Sequence, residues 1–334
     1  MMNNSVAPVD GGQDNDEDLS KDLENWMSLL PQELKQTPII HLAIPGSHDS
    51  FTSEITSDSP LAPDAENAIK KLSFLGPLLK FFMVNWSKTQ TYKAADQLIR
   101  GIRYFDLRIG TKSSTEDLFI VHGLYSATVQ SCLEEVRSFL DTHTQEVVIL
   151  DFQHFYGFRQ SDHDRLMQLI YHIFGAKLLP YSQHMSYVTL QYMTTQYRYQ
   201  VISVYRSDAA RFGQPLLWPS NSFPNPWPNT VSKSSLFESL HRGLSNRPSG
   251  SAHISQCVLT PPGWFIFQNL FSSLKKQCAV KLEESKSNWI ENQSPGPGGL
   301  NIIIADFIEL SDCKYVKDVI NLNQKLIATS NKKY

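Results

Sequence analysis

The chain has 334 residues, 41% of them hydrophobic, which suits one large domain or two ordinary ones. A formal charge of −3 excludes the broad basic field of a nucleic-acid binder, so an anionic ligand must be met by local charge. Cys132, Cys257, Cys278 and Cys313 stand apart with no CxxC pair, so neither a zinc site nor a disulfide framework is suggested.

No run reaches the ~18 apolar residues a membrane span requires. The N-terminus shows no signal peptide, and Met2 in place of Gly excludes the usual myristoylation signal. Reduced cysteines fit a cytoplasmic protein that meets membranes, transiently, from one side.

Residues 1–20 are acidic, small and polar and are expected to form a disordered tail, leaving residues 21–334 as a single folded domain. Leu23, Trp26, Met27 and Leu30 recur at helical spacing over about Lys21 to Leu30. The first strand, PIIHLAI, breaks at Pro45-Gly46 and exposes Ser47, His48 and Asp49 in the turn beyond it. Neighbouring His and Asp side chains cannot point the same way, so each serves a different partner. They are either a cap and a turn bond or the start of acid/base chemistry.

The stretch FLGPLLKFFMVNW, residues 74–86, carries Lys71, Lys80 and Lys88 around an aromatic cluster. It reads as a core helix or as an element lying in a membrane interface. In IRYFDLRI, alternation sets Phe105, Leu107 and Ile109 on one face and Tyr104, Asp106 and Arg108 on the other. Adjacent charges on one strand face are costly unless paired or functional.

The strand LFIVHG ends with His122, and a helix follows over Gln130 to His143. EVVILDFQHFYG is a continuous apolar strand ending in Asp151, Gln153 and His154, and YQVISVYR ends at Arg206. A proline-rich loop, PLLWPSNSFPNPWPN, is read as ordered surface loop because of its tryptophans. After the strand AHISQCVLT comes a second aromatic cluster, WFIFQNLF at residues 264–271, with Lys275 and Lys276 behind it. The last strand, LNIIIADFIEL, carries Asp306 where its apolar run ends.

Short apolar strands alternating with helices call for a parallel sheet, and about seven strands favour an irregular (β/α)8 TIM barrel of the α/β class. A barrel gathers the C-terminal ends of its strands at one mouth. His48, Asp106, Arg108, His122, Asp151, Arg206 and Asp306 all stand at strand ends. Two histidines, an arginine and several carboxylates at one mouth suit phosphodiester cleavage. One His takes a proton, the other gives one, and the Arg meets the phosphoryl charge.

The motifs IPGSHDSF, GIRYFDLRI, FIVHG, EVVILDFQHFYG and NIIIADFIEL together resemble the phosphatidylinositol-specific phospholipase C X-domain family, in particular its short vertebrate X-domain-only proteins. The resemblance runs from about Trp26 to Leu326. It implies a hydrolase that cleaves inositol phospholipids to diacylglycerol and a cyclic inositol phosphate. By matching positions, His48 resembles the general base, His122 the general acid, Asp306 the carboxylate behind the base and Asp49 the one behind the acid. Arg108 would contact phosphate with Asp106 beside it, and Arg206, Asp151 and Gln153 would line the substrate pocket, with Gln256 on the neighbouring strand. Where calcium-dependent relatives carry ligands, this chain has Asp49, Asp106-x-Arg108 and Gln153, so it resembles the metal-independent bacterial type: no cofactor, no metal, calcium unexpected. Membrane contact would fall to the clusters at 74–86 and 264–271. The alternative from another class is a catalytically weak phosphoinositide-binding module.

Overall fold

The computed structural model describes residues 18–65 and 77–330. The acidic tail to residue 17 lies outside them, as do Lys71 and residues 74–76 of the first aromatic cluster. Ordered contacts begin slightly before the expected boundary: Ser20 is buried and Asp18 accepts a hydrogen bond from Asn321 Nδ2 at 3.0 Å.

Nine strands form among the described residues: β1 (Ile44–Ser47), β2 (Tyr104–Lys112), β3 (Thr115–His122), β4 (Leu124–Thr128), β5 (Val148–Tyr156), β6 (Val201–Tyr205), β7 (Leu217–Trp218), β8 (Ile254–Gln256) and β9 (Ile302–Ala305). Seven pair in parallel in the order β7-β6-β5-β2-β1-β9-β8, a curled sheet with helices outside it. The irregular barrel expected from the alternation of strands and helices is therefore the fold. Its parallel strands read as nearly continuous apolar runs because both faces are covered, as in the fully buried VISVY of β6.

The seam between β7 and β8 is sealed by the proline-rich loop. Ile254 N donates to the Pro224 carbonyl at 2.9 Å, and Gln256 Nε2 donates to Asn225 Oδ1 at 2.8 Å. Prolines supply acceptors there without adding donors that would need partners.

One expectation needs correction. LFIVHG, as β3, is no barrel strand: β2 runs on past the mouth, and β3 returns antiparallel along it with Ile109 opposite Ile120. His122 thus comes back level with Arg108 from a hairpin rather than from a barrel strand.

At the other end of the barrel, a buried pair anchors the N-terminal helix Trp26–Leu29. Arg103 Nε donates to Glu146 Oε2 at 2.9 Å, and Glu146 Oε1 accepts the Ser28 amide at 2.8 Å. Such a pair holds position well because losing either member would strand a buried charge.

Candidate active site

The turn that follows β1 needs Gly46. A Cβ there would stand 2.8 Å from Tyr104 Cδ1 and 2.9 Å from Ile304 Cγ2, so β1 could not pass between its neighbours with any larger residue. Beyond it, Asp49 and Phe51 adopt positive φ, 39° and 68°, and the chain reverses at once. The His48 amide donates to the Ala305 carbonyl at 3.1 Å, which sets the end of β1 against the end of β9.

His48 and Asp306 therefore face each other. Nδ1 of His48 donates to Asp306 Oδ1 at 2.8 Å, leaving Nε2 toward the mouth, 3.5 Å from Asp49 Oδ2 and 3.9 Å from Asp106 Oδ2. Burial alone would hold the imidazole down, but Asp49 and Asp306 beside it push its pKa up to about 9.

Asp49 turns toward Arg108 and His122. Its Oδ1 pairs with Arg108 Nε, and its Oδ2 lies 3.2 Å from His122 Nε2. Burial opposes its ionisation, yet the Arg108 guanidinium and the two imidazoles hold the carboxyl well below the usual range. His122 Nδ1 donates to the Ser87 carbonyl at 2.7 Å. Both nitrogens of that ring thus face acceptors.

Asp106 shares the inward face of β2 with Tyr104 and Arg108, as the alternation indicates. Its Oδ2 accepts the Asp49 amide at 3.2 Å, and burial, reinforced by Asp49, raises its pKa to about 6. The Arg108 guanidinium reaches within 3.5 Å of His48 Nε2. It is the fixed cation between the two histidines.

Beside this centre, Arg206 grips Asp151 with two donors, Nε at 2.8 Å and Nη2 at 2.7 Å. Tyr104 Oη donates to Asp151 Oδ2 at 2.6 Å, and Gln153 Nε2 approaches the same oxygen at 3.3 Å. Nine of the ten residues given site roles from sequence thus fall into two adjoining networks at one mouth. Gln256 does not join them, since its amide is spent on Asn225 in the seam.

Sequence reasoning missed Tyr104 as a participant, although its face was correctly assigned. It also missed Asp64, whose Oδ2 accepts the Gly123 amide at 2.7 Å next to His122. Asp64 sits in a stretch with no periodicity, so only the tertiary fold reveals it.

His48, Asp49 and Asp106 place ligand atoms within 4.8 Å of one another, which raises the question of a metal. Calcium takes six to eight oxygen ligands. Here the donors are one imidazole and two carboxylates, one of them already paired with Arg108. This set does not fit calcium.

Among solved structures, the phosphatidylinositol-specific phospholipase C from Listeria monocytogenes matches with a TM-score of 0.59 at 19% identity, over 90% of this chain and 99% of that one. A mutant of the Staphylococcus aureus enzyme matches with a TM-score of 0.61 at 15% identity, over 92% and 98%. The fold is thus the barrel of bacterial phosphatidylinositol-specific phospholipases C.

The family model "Phosphatidylinositol-specific phospholipase C, X domain" matches residues 82–199. Human PI-PLC X domain-containing protein 3 is 40% identical over 307 residues, 90% of this chain and 94% of that protein. Human PI-PLC X domain-containing protein 1 is 34% identical over 310 residues, 91% and 93%. The chain belongs to the PI-PLC X-domain family.

Proposed function

We propose that the protein is a phosphoric diester hydrolase of the phospholipase C type, acting on inositol phospholipids without a metal. One observation carries the reading: two histidines flank one arginine, and each has its own carboxylate. Binary acid/base chemistry needs groups of opposite duty on opposite sides of the reacting bond.

In this reading His48 Nε2 takes the proton from the inositol hydroxyl next to the phosphate while Asp306 supports the resulting charge. The oxygen attacks phosphorus, and the bond from phosphorus to the diacylglycerol oxygen breaks. His122, sharing its Nε2 proton with Asp49, gives that proton to the leaving oxygen. Arg108 meets the charge that builds on the phosphoryl oxygens. The product is a cyclic inositol phosphate, which water opens with the two histidines exchanging roles. Arg206, Asp151, Tyr104 and Gln153 form the polar wall for the inositol hydroxyls.

Access to lipid would come from the mouth itself. No helix among the described residues is long and apolar enough to cross a membrane. Yet Phe81, Phe212, Trp227, Trp264, Phe267 and Phe271 are all exposed, and each belongs to a segment that follows a strand end on the mouth side. Phe82 packs edge-on against Phe271 at 5.3 Å, which joins the two aromatic clusters into one rim. Neither cluster is wholly core: Phe82, Met83 and Trp86 are buried, while Phe81, Trp264, Phe267 and Phe271 are not. Exposed aromatics clustered in this way mark contact surfaces. In this reading the rim is the surface for transient attachment to a membrane.

The rival reading, lipid binding without turnover, draws on Arg108 being engaged with Asp49 instead of open to a phosphate. Phosphorus NMR of phosphatidylinositol vesicles separates the two. A cyclic inositol phosphate signal that precedes the open one supports the hydrolase. Vesicle binding with no new phosphorus signal supports the binding module.

A further inference from the structure

The segment Ser87 to Gln90 bonds to His122, to the backbone of His48 and Asp49, and to the residues on either side of Asp306, although none of its side chains faces the mouth as an acid or a base. The Ser87 carbonyl orients His122. Thr89 Oγ1 donates to the Asp49 carbonyl at 2.9 Å, and the Thr89 carbonyl accepts the amide of Phe307 at 2.8 Å. Gln90 is fully buried, and its Nε2 donates to two carbonyls at once, His48 at 2.9 Å and Ala305 at 2.9 Å.

Those carbonyls belong to His48 itself and to the residue immediately before Asp306. We propose that Gln90 is a positioning residue: its side-chain amide ties the end of β1 to the end of β9 and so fixes the separation of the His48 imidazole from the Asp306 carboxylate. The inference rests on the proposed hydrolase reading for its kinetic consequence, and on geometry alone for its structural one. Parallel pairing by itself stops at Ser47 and Ala305, one residue short of both functional side chains. Beyond that point the His48 amide still donates to the Ala305 carbonyl at 3.1 Å, and the Gln90 side chain adds a second link. Gln90 has the needed form, because one planar NH2 group presents two donors at a fixed angle and can bridge two chains where their ladder ends. Its Oε1 faces the Ile308 amide at 3.4 Å, which ties the following turn to the same side chain.

A control exists at the opposite end of the same strand. Asn323, also fully buried, binds the Ala43 amide through Oδ1 at 2.8 Å and the Ala43 carbonyl through Nδ2 at 3.0 Å. It secures the entry to β1 but reaches nothing in the active site.

The experiment compares Gln90→Met with Asn323→Leu in the full chain, using phosphatidylinositol vesicles for kinetics and proton NMR for the His48 Nδ1 hydrogen bonded to Asp306. Gln90→Met is expected to lower kcat about tenfold to a hundredfold with KM within about twofold, the range that a misplacement near 1 Å produces. The downfield Nδ1 proton signal of His48 is expected to broaden through exchange with water. Asn323→Leu is expected to lower the melting temperature and change neither readout. If Gln90→Met does not fold, Gln90→Asn, which keeps the amide and shortens its reach, is read in the same way. An unchanged Nδ1 signal and kcat in the Gln90 variant overturns the inference, as does an equal loss in Asn323→Leu. A wild-type protein that shows the Nδ1 signal but no turnover contradicts the proposed reaction and leaves the clamp to be decided by NMR alone.

Discussion

Asp49 Oδ2 lies 3.2 Å from Nε2 of His122, and the other nitrogen of that ring is already committed to the Ser87 carbonyl. The carboxylate therefore meets the same nitrogen that faces the mouth. Asp306 does the reverse for His48, taking the nitrogen that faces away. One histidine is backed by its carboxylate and the other shares its working proton with one. On the proposed reading, this asymmetry gives opposite duties to two chemically identical rings.

Arg108 favours the ionised form of Asp49 and, on the proposed reading, also meets the phosphate. Arg108→Gln is expected to lower kcat about a hundredfold to a thousandfold, the scale seen when a fixed donor to a developing oxyanion is removed. It also lets the buried Asp49 carboxyl protonate more readily, because burial then acts with less opposition. Arg108→Lys should recover only part, since a point charge cannot serve a carboxylate and a phosphate in one plane. Steady-state kinetics on vesicles measures both.

His48 gives a pH signature. Its pKa stands at about 9 in the fold, raised by Asp49 and Asp306 against burial, while an unfolded histidine titrates near about 6.5. The pairing therefore stabilises the fold fully below that unfolded value and is lost as pH rises through 9, a contribution on the order of 3 kcal/mol. Melting temperature should fall between pH 7 and 9.5, and the slope should flatten in His48→Gln. In activity the neutral base form gains with pH, so kcat/KM should rise toward pH 9. Asp306→Asn should move that rise to lower pH while lowering the maximum rate.

Arg206 and Asp151 test the second network. Asp151 is fully buried and receives both donors of Arg206. Arg206→Ala strands that carboxylate and is expected to cost about 3–5 kcal/mol in a denaturant titration. The pair Arg206→Met with Asp151→Leu should recover most of the stability and none of the affinity for inositol phosphates.

The rim predicts a separation of binding from chemistry. Phe267 and Phe271 are 78% and 91% exposed, so Ser at either position should leave the melting temperature within a degree or two. Vesicle partitioning should fall by about tenfold to a hundredfold per aromatic, from the roughly 1.5–3 kcal/mol that burying such a side chain contributes. Turnover of a soluble cyclic inositol phosphate should not change. A sedimentation assay beside a soluble-substrate assay makes the comparison.

Much of the site was legible because strand chemistry is local. Period-two alternation put Asp106 and Arg108 on one face, and the apolar run of β9 stopped at Asp306; the first strand was placed too early, since Ile39–His41 forms a 3-10 helix and β1 runs through Pro45 and Gly46, which pair with Ile303 and Ile304, before the turn at His48. The positions of His122 and Gln90 were less accessible. His122 arrives by a hairpin that leaves the sheet, and its register against Ile109 is set by pairing across the turn rather than by any pattern within LFIVHG. Gln90 and Ser87 act through backbone carbonyls distant in sequence, which leave no trace in residue type. Gln256 was misplaced for the same reason, since its partner Asn225 comes from the loop that closes the barrel.

The central claim is that two histidines cleave an inositol phosphodiester without a metal. The most direct measurement is inositol phosphate release from phosphatidylinositol vesicles with excess calcium chelator, run on the wild type, His48→Ala and His122→Ala. The account predicts cyclic product from the wild type under chelation, and a loss of about a hundredfold to ten-thousandfold in each variant at unchanged vesicle binding. No product with or without calcium, from a folded wild-type protein that still binds the vesicles, would contradict it.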